Sequence, residues 1–373
     1  MKKCISYLFF GFMLILISDC EKENPDGINV EAEIQKSMDA ERIPSVVACV
    51  VRGDEIVWEG TFGFADVYLS KQANRQTLYN LESVSKLFLA ITVMQLWERG
   101  MIDLEADINQ YLPFDVRNPN FPDQKITPHM LLTHTSSLAW PRAEDGIPDF
   151  YHFFSYEDVP LIREWLPDYI IPGGTYYRSN VWKEFPPGEA ELYSNIGTSL
   201  LALAVENISG EDYRDYCVEN ILEPLEMNHS GFRINLLNEE LLATPYYNNN
   251  YPIQQFIYRI YPAGNLKSNI GDFSHFIMVF LNDGVYNGKR ILEYQTIEKM
   301  FEIQNPASGV SLLWQNCLGD CIGHTGGGTG FRTHAEWYPD SNKGLFIFSN
   351  KYNESVSPGG RIYELVRLEC SRY

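Results

Sequence analysis

The chain has 373 residues, 45% of them hydrophobic, enough to bury a substantial core without relying on disulfides or metal. Its 49 acidic residues against 29 basic ones give a formal charge of −20, which argues against nucleic acid and anionic lipid as partners. No internal repeat, low-complexity tract or inter-domain linker divides it, so the length is read as one enzyme-sized body behind an N-terminal leader.

Lys2 and Lys3 open the leader, Leu8 to Ile17 is an apolar run broken by Gly11, and Cys20 follows. The run is shorter than the roughly 20 residues a membrane span needs and reads as an export signal over residues 1–19. Leu16-Ile17-Ser18-Asp19-Cys20 resembles a bacterial lipoprotein cleavage box, with Cys20 the lipidated residue and Asp19 a departure from the small residue usual there. Residues 20–29 then form a polar tether, and the folded body runs from 30 to 373. The expected location is outside the cytoplasm, with the membrane touched only through the lipid. Ordinary secretion and an uncleaved anchor are the other outcomes.

Val30 to Arg42 has a helical pattern and stops before Pro44. Ser45 to Arg52 is a β-rich run, Gly53-Asp54 a turn, and Glu55 to Gly63 a second strand, together a hairpin. A strong helix is predicted from Ser83, with Val84, Leu87, Phe88, Ile91 and Met94 at helical spacing and Gly100 as its stop. Pro113 to Pro128 is loop, and Met130 to Leu132 a short helical stretch. Ala139 to Glu189 is irregular and rich in aromatics, among them Trp140, Trp165, Tyr169, Tyr176 and Trp182. Such a stretch usually shapes a cleft, although most of its rings are expected simply to pack it onto the body. Helices follow at Asn195–Asn207, Gly210–Leu222 and Asn269–Asn282. Val310–Trp314, Phe331–Trp337 and Gly344–Phe348 read as strands, and Arg361–Glu369 as a last helix. The fold class is therefore α+β: a mostly antiparallel five-stranded sheet built from both chain ends, flanked by helices, with a helical region inserted between.

Three short stretches can carry chemistry. In Ser83-Val84-Ser85-Lys86, residues three apart at a helix start share a face, so hydroxyl and amine can meet. A serine hydroxyl needs a base, and a buried lysine can be pushed towards neutrality to serve as one. Taken alone, the Ser-x-x-Lys signal is weak, and Ser83 is more readily a helix N-cap. In Tyr193-Ser194-Asn195, behind Phe185-Pro186-Pro187-Gly188, the phenol can pass a proton and the amide can hold a substrate amide. Taken alone, this is a core tyrosine and a helix cap. In Gly323-His324-Thr325-Gly326-Gly327, glycines let a backbone approach a substrate, and the Gly327 N–H can pair with that of Ser83 as an oxyanion hole. His324 and Thr325 can bind a carboxylate or orient the tyrosine. A glycine-rich turn is the ordinary reading. Neither a P-loop nor a dinucleotide fingerprint fits, because Thr329 follows Gly328 and no βαβ unit follows.

In this order the three stretches resemble the serine β-lactamase and penicillin-binding family, notably class C β-lactamases, D-Ala-D-Ala carboxypeptidases, D-aminopeptidases and related esterases. Asn80-Leu81-Glu82 before Ser83, Leu131-Leu132-Thr133-His134-Thr135-Ser136, and Pro262-Ala263-Gly264 followed by Asp272 extend the likeness. The resemblance implies an acyl-enzyme on Ser83, proton transfer shared by Lys86 and Tyr193, substrate contacts from Asn195, His324 and Thr325, and an oxyanion hole of the Ser83 and Gly327 N–H groups. His324 stands where lysine is usual, which turns the expectation from β-lactams towards peptide, amide or ester substrates.

His134 is read as a structural hydrogen-bonding residue. No histidine or cysteine shows metal-ligand spacing and no cofactor is called for. Cys317 and Cys321 flank a turn-like Leu318-Gly319-Asp320 and can cross-link it; Cys49, Cys217 and Cys370 read as packing residues. The competing readings are a non-catalytic binding or sensor protein on the same fold, and a metal-dependent hydrolase. The intact set Ser83, Lys86, Tyr193 argues against the first, and chelator insensitivity would dismiss the second.

Overall fold

The Ser45–Arg52 strand is apolar at nearly every position because it is covered on both faces. In the computed structural model, which describes residues 27–140, 152–153 (backbone only), 159–305, 308–316 and 321–373, Val46, Ala48 and Val50 pack towards the helices near the chain ends, Val30–Glu41 and Arg361–Ser371. Val47, Cys49 and Val51 face the other way, into the main core with Phe273, Phe276, Phe346 and Phe348. The leader, Cys20 and the tether up to Asp26 lie outside the described residues.

Among the described residues the sheet has seven strands where the sequence predicts five, and every pairing is antiparallel. From one edge the order is Gln315–Asn316, Ile322–Gly328, Phe331–Tyr338, Lys343–Ser349, Ser45–Arg52, Glu55–Asp66, Lys71–Gln72. The first strand of the body thus pairs with the last, Val47 opposite Phe348. Two of the seven are two-residue edge strands, too short to leave a period in the sequence. Val310–Trp314 is not a strand: isolated bridges at Val310 are all it has, and Leu313 sits at φ +61°. The glycine-rich Ile322–Gly328 stretch is one instead.

The helical region lies on the core side of the sheet. Its centre is the Lys86–Glu98 helix, buried continuously from Lys86 to Leu96. The Ile270–Leu281 helix, capped by Asn269, lays Phe273 and Phe276 against the sheet. The stretch from Ala139 to Glu189 is less irregular than its composition predicts, because Ile162–Ile170 is helical despite Pro167 within it. Trp165, Tyr169 and Trp182 are buried there, Trp182 donating its indole N–H to the Ile170 carbonyl at 2.8 Å, while Tyr176 stays exposed. Gly210–Leu222 is a shorter helix than predicted, Tyr213–Cys217, continued by one wider turn. Among the described residues no helix is long and apolar enough to cross a membrane. Cys321 is disulfide-bonded; Cys317 lies outside the described residues. Cys49, Cys217 and Cys370 are free and buried.

Candidate active site

The predicted helix at Ser83 begins as a tight 3-10 turn, Glu82–Ser85, and becomes α-helical only at Lys86. In a 3-10 turn residues i and i+3 eclipse one another, which stacks Lys86 against Ser83. Lys86 Nζ lies 2.9 Å from Ser83 Oγ, and donates at 2.9 Å to the carbonyl of Ala263, in the Tyr261–Gly264 turn. Lys86 is fully buried. Desolvation therefore holds its amine well below an ordinary lysine, with only partial opposition from the Glu82 carboxyl.

Tyr193 arrives from the opposite direction. Ser194 caps the Asn195–Ser209 helix by accepting from the Gly197 N–H at 2.9 Å, which leaves Tyr193 in extended chain immediately before it. Its hydroxyl donates to Ser83 Oγ at 2.7 Å, and its ring lies 4.8 Å from Lys86 Nζ. Burial pushes the phenol above its ordinary pKa. His134 fixes this segment from both sides. Its carbonyl accepts the Leu192 N–H at 2.6 Å, its Nδ1 accepts the Ser194 N–H at 3.3 Å, and its ring stacks 4.6 Å from Tyr193. Desolvation, aided by whatever positive charge Lys86 carries, lowers its pKa to about 3, so it stays neutral. His134 is thus structural, as expected, but its structure is that of the site.

The glycine-rich strand forms the third wall. A Cβ at Gly326 would sit 2.4 Å from the Leu81 carbonyl oxygen and 2.2 Å from Thr333 Oγ1, so only glycine fits there. Thr333 on the neighbouring strand donates to that same carbonyl at 2.7 Å and ties the Ser83 turn to the sheet. His324 is buried, with Nδ1 2.8 Å from the Thr325 carbonyl oxygen, and desolvation lowers its pKa to about 3. A neutral imidazole is a poor stand-in for a lysine ammonium as a carboxylate anchor. The Thr325 hydroxyl is engaged by His334 Nδ1 at 3.0 Å. Gly327, opposite Arg332, is exposed. Asn195 is buried, and its Oδ1 has no hydrogen-bond partner among the described residues.

The structure therefore brings Ser83, Lys86 and Tyr193 together and borders them with His134, Asn195 and the His324–Gly327 strand. Residue-type reasoning gave no role to Ala263 or Glu82. The Ala263 contribution is a backbone carbonyl, invisible to it, although Pro262-Ala263-Gly264 stood out as a landmark. Among the described residues no group of three or more His, Cys, Asp or Glu side chains is placed to hold a metal ion.

Comparison with known proteins gives one consistent answer. A family model described as Beta-lactamase matches residues 30–367. Penicillin-binding protein 4* of Bacillus subtilis is 25% identical over 333 residues, covering 81% of this chain and 67% of that protein. Protein flp of Staphylococcus aureus is 24% identical over 334 residues, covering 88% of this chain and 62% of that one, so part of each relative has no counterpart here. Among solved structures, the octameric penicillin-binding protein homologue from Pyrococcus abyssi superposes with a TM-score of 0.74 at 24% identity, over 91% of this chain and 76% of that one. A penicillin-binding protein from Bacillus halodurans gives 0.69 at 20% identity, over 91% and 99%. At these identities the structural matches establish the fold.

Proposed function

The chain belongs to the beta-lactamase family, and from that premise we propose that it is a serine hydrolase that forms an acyl-enzyme on Ser83 with a peptide, amide or ester substrate. The observation that carries the reading is the convergence of the Lys86 amine and the Tyr193 hydroxyl, at 2.9 and 2.7 Å, on one serine oxygen.

In the proposed reaction Ser83 Oγ attacks the substrate carbonyl carbon while its proton passes to Lys86, directly or by relay through the Tyr193 hydroxyl. A neutral Lys86 can accept that proton, which is what its burial favours. The N–H groups of Ser83 and Gly327 receive the oxyanion. Collapse expels the amine or alcohol, protonated by the same pair, and water releases the acyl group by the reverse path. The unpartnered Oδ1 of Asn195 suits a substrate N–H. The neutral His324 favours small esters and amides without a carboxylate over β-lactams that carry one.

A fluorescent phosphonate applied to the purified protein is expected to give one adduct, on Ser83, and none with Ser83→Ala. Equal labelling of the variant removes the assignment. A labelled penicillin asks the same question for the ligand in the relatives' names. We also propose export and lipidation at Cys20; an intact mass of the membrane-fraction protein without the diacylglyceryl increment rejects it.

A further inference from the structure

Glu82, immediately before the nucleophile, has no part in the reaction described above, yet the fold makes extensive room for it. Its backbone is left-handed, φ +50°, a conformation that L side chains rarely adopt, and its carboxyl is turned inward and buried. Oε1 accepts from Asn80 Nδ2 at 2.8 Å and from the Tyr258 hydroxyl at 3.3 Å. Oε2 occupies the space where a side chain on Gly328 would begin: a Cβ there would lie 2.3 Å from it. A Cβ on Gly326 would lie 3.0 Å from Glu82's own Cβ.

Two buried lysines lie within electrostatic reach of this carboxyl. Lys86 donates to the carbonyl of Ala263, and Lys267 to that of Asn265 at 3.5 Å, so one short turn anchors both. Lys267 also donates to Asn80 Oδ1 at 3.4 Å, and Asn80 passes its own amide N–H to Glu82. The groups facing the carboxyl are thus Lys86, Lys267, Asn80 and Tyr258, with Tyr193 across the nucleophile also within electrostatic reach.

We propose that Glu82 is a positioning residue for the Ser83–Lys86 pair: its carboxylate is the counter-ion for which Lys86 and Lys267 compete, and it thereby governs which lysine carries the proton. One buried negative charge can balance only one buried ammonium. When Lys267, linked through Asn80, holds the proton, Lys86 is left neutral and able to take the proton of Ser83. Desolvation pushes the Glu82 carboxyl up to about 8 and pulls Lys267 down to about 8, and it holds Lys86 well below an ordinary lysine as well, so the three are coupled.

The inference rests on Ser83 being the nucleophile and Lys86 its base, and its test separates the two claims. The rate of Ser83 phosphonylation is followed by intact mass against pH, on the full chain, for wild type, Glu82→Gln, Lys267→Met and the double variant. Glutamine keeps an oxygen for Asn80 and Tyr258 and removes only the charge. Without the carboxylate, Lys86 loses its counter-ion, and the acid limb of the profile moves about one pH unit towards acid. Lys267→Met leaves Lys86 as the sole cation facing the carboxylate and moves the limb towards alkali; the double variant follows Glu82→Gln. A limb that stays put in both single variants, or moves the same way in both, overturns the inference while leaving Ser83 labelling intact. If Glu82→Gln does not fold, the Lys267→Met limb decides alone. A wild type unlabelled at Ser83 rejects the functional reading instead, and this inference with it.

Discussion

Glu82 beside Ser83 and Glu336 under the terminal helices are carboxyl groups buried to nearly the same degree, 3% and 0% exposed, yet their surroundings treat them oppositely. Glu336 accepts from His334 Nε2 at 2.9 Å, from the Tyr363 hydroxyl at 3.1 Å and from the Tyr338 hydroxyl, with Arg367 donating to Tyr338 behind them. Desolvation would raise its pKa, but these donors outweigh it and hold the carboxyl below its ordinary value. Glu82 has two donors, one of them long, and is left high. The lesson is that donor count, rather than depth, decides whether a buried charge is settled or available. The outer face is built to stay as it is. The inner face keeps groups whose protons can move.

The sharpest attack on that comparison is Glu336→Ala. It strands three donors in the interior and is expected to cost about 3–5 kcal/mol in urea unfolding, with the Ser83 labelling rate of the remaining folded protein little changed. A labelling loss larger than the stability loss would show that the two faces are not separate. Lys86→Ala tests the other side: labelling of Ser83 is expected to fall about 10²-fold or more, and unchanged kinetics would remove Lys86 from the chemistry. Next comes pH. His134 and His324, lowered to about 3, bind fewer protons folded than unfolded between there and the ordinary histidine value near 6.5. Their stabilising effect is whole above about pH 6.5 and is lost as pH falls, by up to about 1.4 kcal/mol per pH unit for each. His324→Asn should flatten the dependence of the urea midpoint between pH 6 and 4; an unaltered slope contradicts the assignment of His324 as buried and neutral. The smallest effect is expected from Thr333→Val, which loses the bond to the Leu81 carbonyl at a cost of about 1 kcal/mol and should slow labelling by loosening the Ser83 turn.

Much of this molecule was legible in its residues, and what was missed has a common cause. Ser45–Arg52 matches its predicted bounds because a strand covered on both faces has to be apolar throughout. The Ile270–Leu281 helix was bracketed correctly because Asn269 caps its start and Gly284, at φ +83°, lies just beyond its end. Ser83, Lys86 and Tyr193, which the structure brings together, could be singled out because the chemistry they offer is in their side chains. The two extra edge strands exist only through a neighbour's ladder. The Ile162–Ile170 helix hides behind its own proline, and Val310–Trp314 has strand composition without a sustained strand partner. Glu82 read as part of a landmark and no more. Its placement depends on a left-handed backbone and on glycines at 264 and 328, which no local pattern reveals.

The pairing of the first strand with the last has a consequence for how the molecule comes into being. A ribosome releases the Ser45–Arg52 segment long before its partner Lys343–Ser349, and the wall containing Gly326 and Thr333 emerges almost as late. Until then the sheet lacks its middle and the Leu81 carbonyl lacks its tether. Contacts so distant along the polymer make for slow maturation, so the Ser83, Lys86 and Tyr193 cluster gains its sheet backing only after most of the body has been made.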